Sequence, residues 1–328
     1  MAAFSLRRAA CAIAVIGGLA SVGPAASAAS TFPSRPIHLI VGFSAGGSAD
    51  TVARLMAPIL NRELKQTIII DNRPGAGGNI ASADLLRSAP DGYTIMLGTI
   101  GSLAVNQHIN KLNYDPVTDM AGISLAVKFS NVLVVKPSSK VHTLADYVRE
   151  AKVPRSNLSF GSSGIGSSGH LAGELLKSVA GLHNEHIAYR GGAPAMNDLL
   201  GGTLGAIFAS PTDAVQFIKA GKLRAIATTG LTRMEVLPQV PTVAESGYPG
   251  FEANNWYAYV APAKTPPAVI QTLNKAIVAA LKDPGVMAKL ERLGLQPAPS
   301  TPRQTAEYIH SESKKWGDLV KKIGLGAQ

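Results

Sequence analysis

The chain has 328 residues, 46% of them hydrophobic and 16% charged, with 33 glycines, 21 prolines and a formal net charge of +10. High apolar content with little charge excludes a disordered chain, and glycine at every third position or sustained heptads, as in collagen or a coiled coil, are missing. At roughly 150 residues per domain the length predicts a globular protein of two domains.

The elements begin with a leader. Arg7 and Arg8 precede an apolar stretch over 9–22, followed by Pro24 and the small residues Ala25, Ala26, Ser27 and Ala28. This order predicts a secretory signal peptide over 1–28, cut after Ala28, and hence a periplasmic protein. The stretch is too short for a membrane anchor, which takes about 20 apolar residues. Arg7-Arg8 is not followed by the bulky residues of a twin-arginine signal. Cys11, the only cysteine, leaves with the leader, so the mature chain forms no disulfide or thiolate metal site; no metal and no cofactor are expected. Cleavage leaves 29 basic and 21 acidic side chains, a net charge of +8. Basic runs interleaved with aromatics are absent, which points away from nucleic acid.

Residues 37–41 read as a buried strand, followed by a glycine loop over 42–47. The next helix has Val52, Leu55, Met56, Ile59 and Leu60 on one face. A strand over 68–70, a second glycine loop over 72–78, a helix through Leu85 and Leu86 and a strand over 93–99 follow. Alternating strands and helices predict an α/β fold with a mostly parallel sheet. The pattern restarts with a strand over 131–135, a helix capped by Thr143, a strand ending at Phe160, a glycine–serine loop over 161–169 and a helix over 170–179. Further strands are centred on Ile187, Ile207 and Ile226. The tail reads as helices opened by Pro266-Pro267, Asp283-Pro284 and Thr301-Pro302. Having no strands of their own, they must pack on the first sheet, reached again through 256–260.

Two glycine loops imitate enzyme motifs. Residues 42–46, Gly-Phe-Ser-Ala-Gly, fit the nucleophile elbow of α/β-hydrolases, and Ser44 with a downstream aspartate and His310 or His186 completes the hydrolase order. A secreted serine hydrolase using Ser44 is therefore the alternative reading. The elbow belongs in the middle of a sheet already built, however, and this one ends the first strand. Residues 164–169 fit the dinucleotide fingerprint, with Arg190 placed to meet a 2′-phosphate, but an exported protein meets little nicotinamide cofactor. A third reading uses both loops together: the amides of 45–48 and 167–169 sit at positive helix ends and could grip one anion from two sides. Residues 191–194 provide another helix start beside them.

The strings GFSAGGSADTVAR, NRPGAGGN, APDGYT, GSSGIGSSGHLAGELL, YRGGAPAMNDLLGG and IKAGKLRAIATTG, in this order after a signal peptide, closely resemble the Bug-type periplasmic solute-binding receptors of tripartite tricarboxylate transport systems. The likeness covers essentially all of the mature chain. It implies a two-lobed, type II (Venus-flytrap) periplasmic binding protein: lobe 1 over 29–128, lobe 2 over 129–252, a return to lobe 1 over 253–328, and a hinge between them. It also implies a receptor, not an enzyme, that captures a small di- or tricarboxylic or aromatic acid. Its partners are integral-membrane permease subunits or a sensor domain, and the receptor itself is expected as a monomer.

By the same resemblance the first lobe offers Phe43, Ser44, Ala45, Gly46, Gly47 and Asp50 to the ligand. The second offers Ser162, Ser163, Gly166, Ser167 and His170, with Tyr189, Gly191 and Ala193 beside them. Each has a plainer role open to it: Asp50 as a helix-dipole partner, Phe43 as core, His170 as a first-turn residue bonded to backbone. Where many members of the family have an acid and then asparagine in the strand before the proline, this chain has Phe208-Ala209-Ser210-Pro211. If that acid meets a ligand ammonium group, its absence favours a plain carboxylate over an amino acid.

Overall fold

The structure is a computed structural model and describes residues 32–154 and 158–326. The predicted leader over 1–28, with Cys11, lies outside the described residues.

The first sheet has the order β11-β4-β10-β3-β1-β2, built from β1 (Ile37–Val41), β2 (Ile68–Asn72), β3 (Thr94–Thr99), β4 (Met120–Ser130), β10 (Asn254–Pro262) and β11 (Gln296–Pro297). The second has the order β7-β6-β8-β5-β9, from β5 (Val132–Val135), β6 (Phe160–Ser162), β7 (His186–Ala188), β8 (Ala206–Ala209) and β9 (Arg224–Thr228). Each sheet is the centre of a lobe. The expected second α/β unit and the return of the chain through 256–260 are both present.

The sheets are mixed, in contrast to the mostly parallel arrangement the alternation predicts. β1 pairs parallel with β2 and β3, and β6 with β7 and β8. β10 runs antiparallel to β3 and β4, and β5 antiparallel to β8 and β9. The reason is connectivity. β5 and β10 are the strands by which the chain enters each lobe from the other, so each runs against its new neighbours.

Helices cover the sheet faces. On the first lobe α1 (Ser48–Leu64) and α8 (Pro267–Lys282) bury Val52, Met56, Leu60, Leu273 and Ile277 against one face of the sheet. The other face receives α2 (Asn79–Arg87), a π-helical turn over Gly101–Val105 leading to the short α3 (Asn106–Ile109), and α10 (Pro302–Lys322) through Ile309, Trp316 and Val320. This core continues into the second lobe through Leu133, Phe160 and Leu171, which lie beside α4 (Leu144–Ala151) and α5 (Ser168–Ala180). α6 (Gly192–Gly201) and α7 (Pro211–Lys219) close the remaining face with Ala195, Leu199, Ala214 and Val215. α9 (Pro284–Arg292) joins α8 to β11.

The chain crosses between lobes twice, at 130–132 and at 229–254. Thr229 stitches the crossings together: its Oγ1 accepts from the Asn131 N–H at 2.9 Å and donates to the Ala253 carbonyl at 2.9 Å. Ser130 Oγ donates to Asn254 Oδ1 at 2.9 Å in the same layer.

Candidate functional site

Four helices start around one small cavity between the lobes. It is lined from the first lobe by Phe43, Gly47, Ser48, Ala49, Thr99, Asn255 and Tyr257, and from the second by Ser163, Ser167, Ser168, Gly192, Ser210 and Asp213. All but Asn255 and Tyr257, which lie in the amino-terminal half of the antiparallel β10, sit at or just after the carboxyl ends of β1, β3, β6, β7 and β8, where open α/β sheets bind ligands. The cavity encloses about 30 Å³, room for little more than one water.

Away from the cavity Thr143 on α4, Asp283 on α9 and Thr301 on α10 supply side-chain caps, whereas α2, α3 and α8 start without one. At the cavity α1, α6 and α7 follow Gly47, Gly191 and Ser210 with no side-chain cap bond. Only Ser167 caps there, reaching the His170 N–H at 3.5 Å. The first-turn amides of α1 and α6 are thus left as donors around a shared space, and the helix dipoles add partial positive charge. Lysine and arginine are absent from the lining among the described residues.

In the first predicted loop the residues divide. Phe43 and Gly47 line the cavity, and Phe43 also belongs to the core around α1. Ser44 spans the lobes: its Oγ donates to the Arg190 carbonyl at 2.9 Å and its N–H reaches the same oxygen at 3.4 Å. Ala45 and Gly46 are exposed. Asp50 is buried but braces the loop, accepting from the Gly46 N–H at 2.9 Å, Arg54 Nε at 2.8 Å and Asn72 Nδ2 at 3.1 Å. Burial alone would raise its pKa, yet these bonds together hold the carboxyl below the usual range.

The second-lobe residues divide in the same way. Ser163 and Ser167 line the cavity. Ser162 Oγ donates to the Gly164 carbonyl at 3.0 Å and lies 2.7 Å from His186 Nε2, holding its own loop. Gly166 donates to His170 Nδ1 at 3.1 Å, and the His170 and His186 rings pack with centroids 4.3 Å apart and planes tilted by 43°. Burial pushes His170 down to about 4 and His186 to about 3, so both are neutral structural rings at neutral pH. Tyr189 donates to Asp198 Oδ2 at 2.7 Å. Gly191 packs on Ser44 Oγ, and Ala193 lies in the first turn of α6, outside the lining.

Several lining residues were not legible as a site. Ser48 Oγ, Thr99 Oγ1 and Asn131 Nδ2 are buried with no hydrogen-bond partner among the described residues. Ser48 and Thr99 face the cavity, while Asn131 faces a smaller pocket that shares Ser163, Ser168 and Asp213 with it. Ser168 connects site and crossings, accepting from Asn255 Nδ2 at 2.7 Å and facing Asn131 Oδ1 at 3.4 Å. The shared signal was position: Thr99, Ser210 and Asp213 follow strand ends just as the glycine loops do, but without glycines to mark them.

A family profile described as the tripartite tricarboxylate transporter family receptor matches residues 52–325. The chain belongs to this family of receptors. As a tripartite tricarboxylate receptor it is similar to the solved periplasmic binding protein BugD, with 33% identity, a TM-score of 0.87, and coverage of 90% of this chain and 100% of BugD. It is also similar to Rpa4515 of R. palustris, solved with adipate, at 33% identity and a TM-score of 0.86, covering 90% of this chain and 99% of that one. MatC of Rhodopseudomonas palustris, solved with bound malate, is 30% identical with a TM-score of 0.85, covering 88% and 100%. The receptor therefore has the two-lobed periplasmic binding protein fold.

Proposed function

We propose that the protein is an extracytoplasmic receptor that captures a small carboxylate between its lobes and delivers it to permease subunits of a tripartite tricarboxylate-type uptake system. In this reading the leader is removed after Ala28, the lobes comprise 29–128 with 253–328 and 129–252, and the mature receptor works in the periplasm. The observation that carries it is the set of helix starts, with free amides and hydroxyls, meeting at one cavity without a basic side chain. Such a site stabilises an anion by backbone dipoles, each worth about 0.3–1 kcal/mol and more when partly buried. Adipate in the Rpa4515 structure and malate in the MatC structure are small dicarboxylates, the ligand class proposed here.

The enclosed volume is too small for a four-carbon acid, so admission requires the lobes to part about the crossings at 130–132 and 229–254. Closure then withdraws the ligand from water, where hydrogen bonds to its charge strengthen. The Ser44 geometry gives no support to a hydrolase: its hydroxyl is engaged by the Arg190 carbonyl, and His186, one of the two candidate bases, is paired with Ser162.

A thermal-shift screen of organic acids tests the proposal. Aliphatic dicarboxylates are expected to raise the melting temperature in a concentration-dependent way, as any ligand selective for the folded state must. Stabilisation by amino acids or sugars alone would contradict it.

A further inference from the structure

Asp213 is the one acidic side chain among the described residues lining the interlobe cavity. It lies in the first turn of α7 and packs directly on the start of α6: a Cβ added to Gly192 would come 2.0 Å from Asp213 Oδ2. Its one side-chain hydrogen bond is from Thr212 Oγ1, at 3.3 Å, and it forms no ion pair among the described residues. β8 ends in Ala209, and one helical turn later the chain places the Asp213 carboxyl in a pocket that both residues line.

A carboxylate receptor with a carboxyl in its own site faces an electrostatic conflict. Two like charges in a cavity of low dielectric, without a cation between them, cannot both remain ionised. The lining offers the ligand its amides and hydroxyls, and either an ammonium group on the ligand or a proton must answer Asp213. We propose that Asp213 makes capture proton-linked: as the anion enters, the Asp213 carboxylate takes one proton from solvent and, as a neutral acid, donates it in a hydrogen bond to a ligand carboxylate oxygen. The ligand keeps its charge for the helix ends, and no proton leaves the complex. This rests on the carboxylate reading above.

Burial supports it, since desolvation already pushes Asp213 up to about 7 with no anion beside it. Of the elements packed around it, β10 presents Tyr257, whose own pKa burial raises, so that it stays a neutral phenol. α1, α5 and β3 present Ser48, Ser168 and Thr99. The charged or titratable neighbours on those helices turn away: Asp50 to Arg54 and Asn72, His170 to the Gly166 N–H.

Calorimetric titration with L-malate and with adipate, from about pH 6 to about pH 9 in pairs of buffers that differ in ionisation enthalpy, tests the assignment. The expected result is net proton uptake that approaches one per ligand above pH 7. Kd should be nearly constant below that pH and rise about tenfold per pH unit above it. Asp213→Asn, which keeps the shape and a donor but cannot titrate, should bind with a flat pH profile and no proton uptake. Wild-type binding without proton uptake overturns the proposal, as does an Asn variant that keeps the slope. Affinity for L-aspartate that exceeds that for malate and falls as pH drops through 7 also overturns it, because Asp213 would then meet an ammonium group. If Asp213→Asn does not fold, the wild-type proton count alone decides. Failure of both dicarboxylates at every pH removes the carboxylate reading as well, whereas pH-independent binding removes only the role of Asp213.

Discussion

Asp50 and Asp213 are both acids near the start of a helix at a strand end, yet their surroundings give them opposite behaviour. Asp50 has Arg54, Asn72 and the Gly46 amide within hydrogen-bond distance; Asp213 has one threonine hydroxyl. The Asp50→Ala variant is expected to lose about 1–3 kcal/mol in urea unfolding, the range for hydrogen bonds to a charged group, with Arg54's exposure setting the low end. A loss below the error of the fit would show that the brace is dispensable. The sign with pH follows from its lowered pKa. The Asp50 contribution is fully present above the unfolded value near 3.8 and disappears as pH falls through the lower folded value. Sequence identified Asp50 by its place in the loop, but not which way its carboxyl turns, because that depends on Asn72 arriving from the next strand.

Among the elements, periodic apolar faces and turn residues made most of the fold legible. The Thr143 cap, the helix opened by Pro266-Pro267 and the strand over 37–41 are all where the pattern places them. The long β4 was not read, since 120–130 is nearly all buried and has no alternation to reveal a strand. The two-residue β11 in the predicted all-helical tail and the π-helical turn over Gly101–Val105 arise from tertiary packing and carry little local signal. That π turn matters for closure. A Cβ on Gly101 would meet the Gly166 carbonyl oxygen of the opposite lobe at 2.6 Å, while within its own lobe the Gly77 oxygen stays at 3.6 Å. Gly101→Ala should therefore oppose closure without disturbing the fold. Ligand affinity is expected to fall by about tenfold or more, roughly 1.4 kcal/mol, with a melting temperature changed by no more than about 2–4 °C. Unchanged affinity would mean that capture does not need this contact between lobes.

At the scale of the whole molecule, the two lobes are joined by crossings that share hydrogen bonds at Thr229 and by Ser168, which lines the cavity and reaches Asn131 in the first crossing and Asn255 just beyond the second. This arrangement ties the cavity to the segments that must move. The glycine loops marked the cleft in the sequence because backbone must approach closely there. The serine, threonine and aspartate side chains that complete it come from strand ends far apart in the chain, and only the fold gathers them. The central claim is that this cleft binds a small carboxylate. Calorimetric titration of the mature protein with L-malate and adipate tests it most directly. The account predicts saturable one-to-one binding of at least one of them, lost when Ser48 and Thr99 are both replaced by valine in a protein that still folds. Folded wild-type protein that binds neither acid, or a double variant that binds as well as wild type, would contradict it.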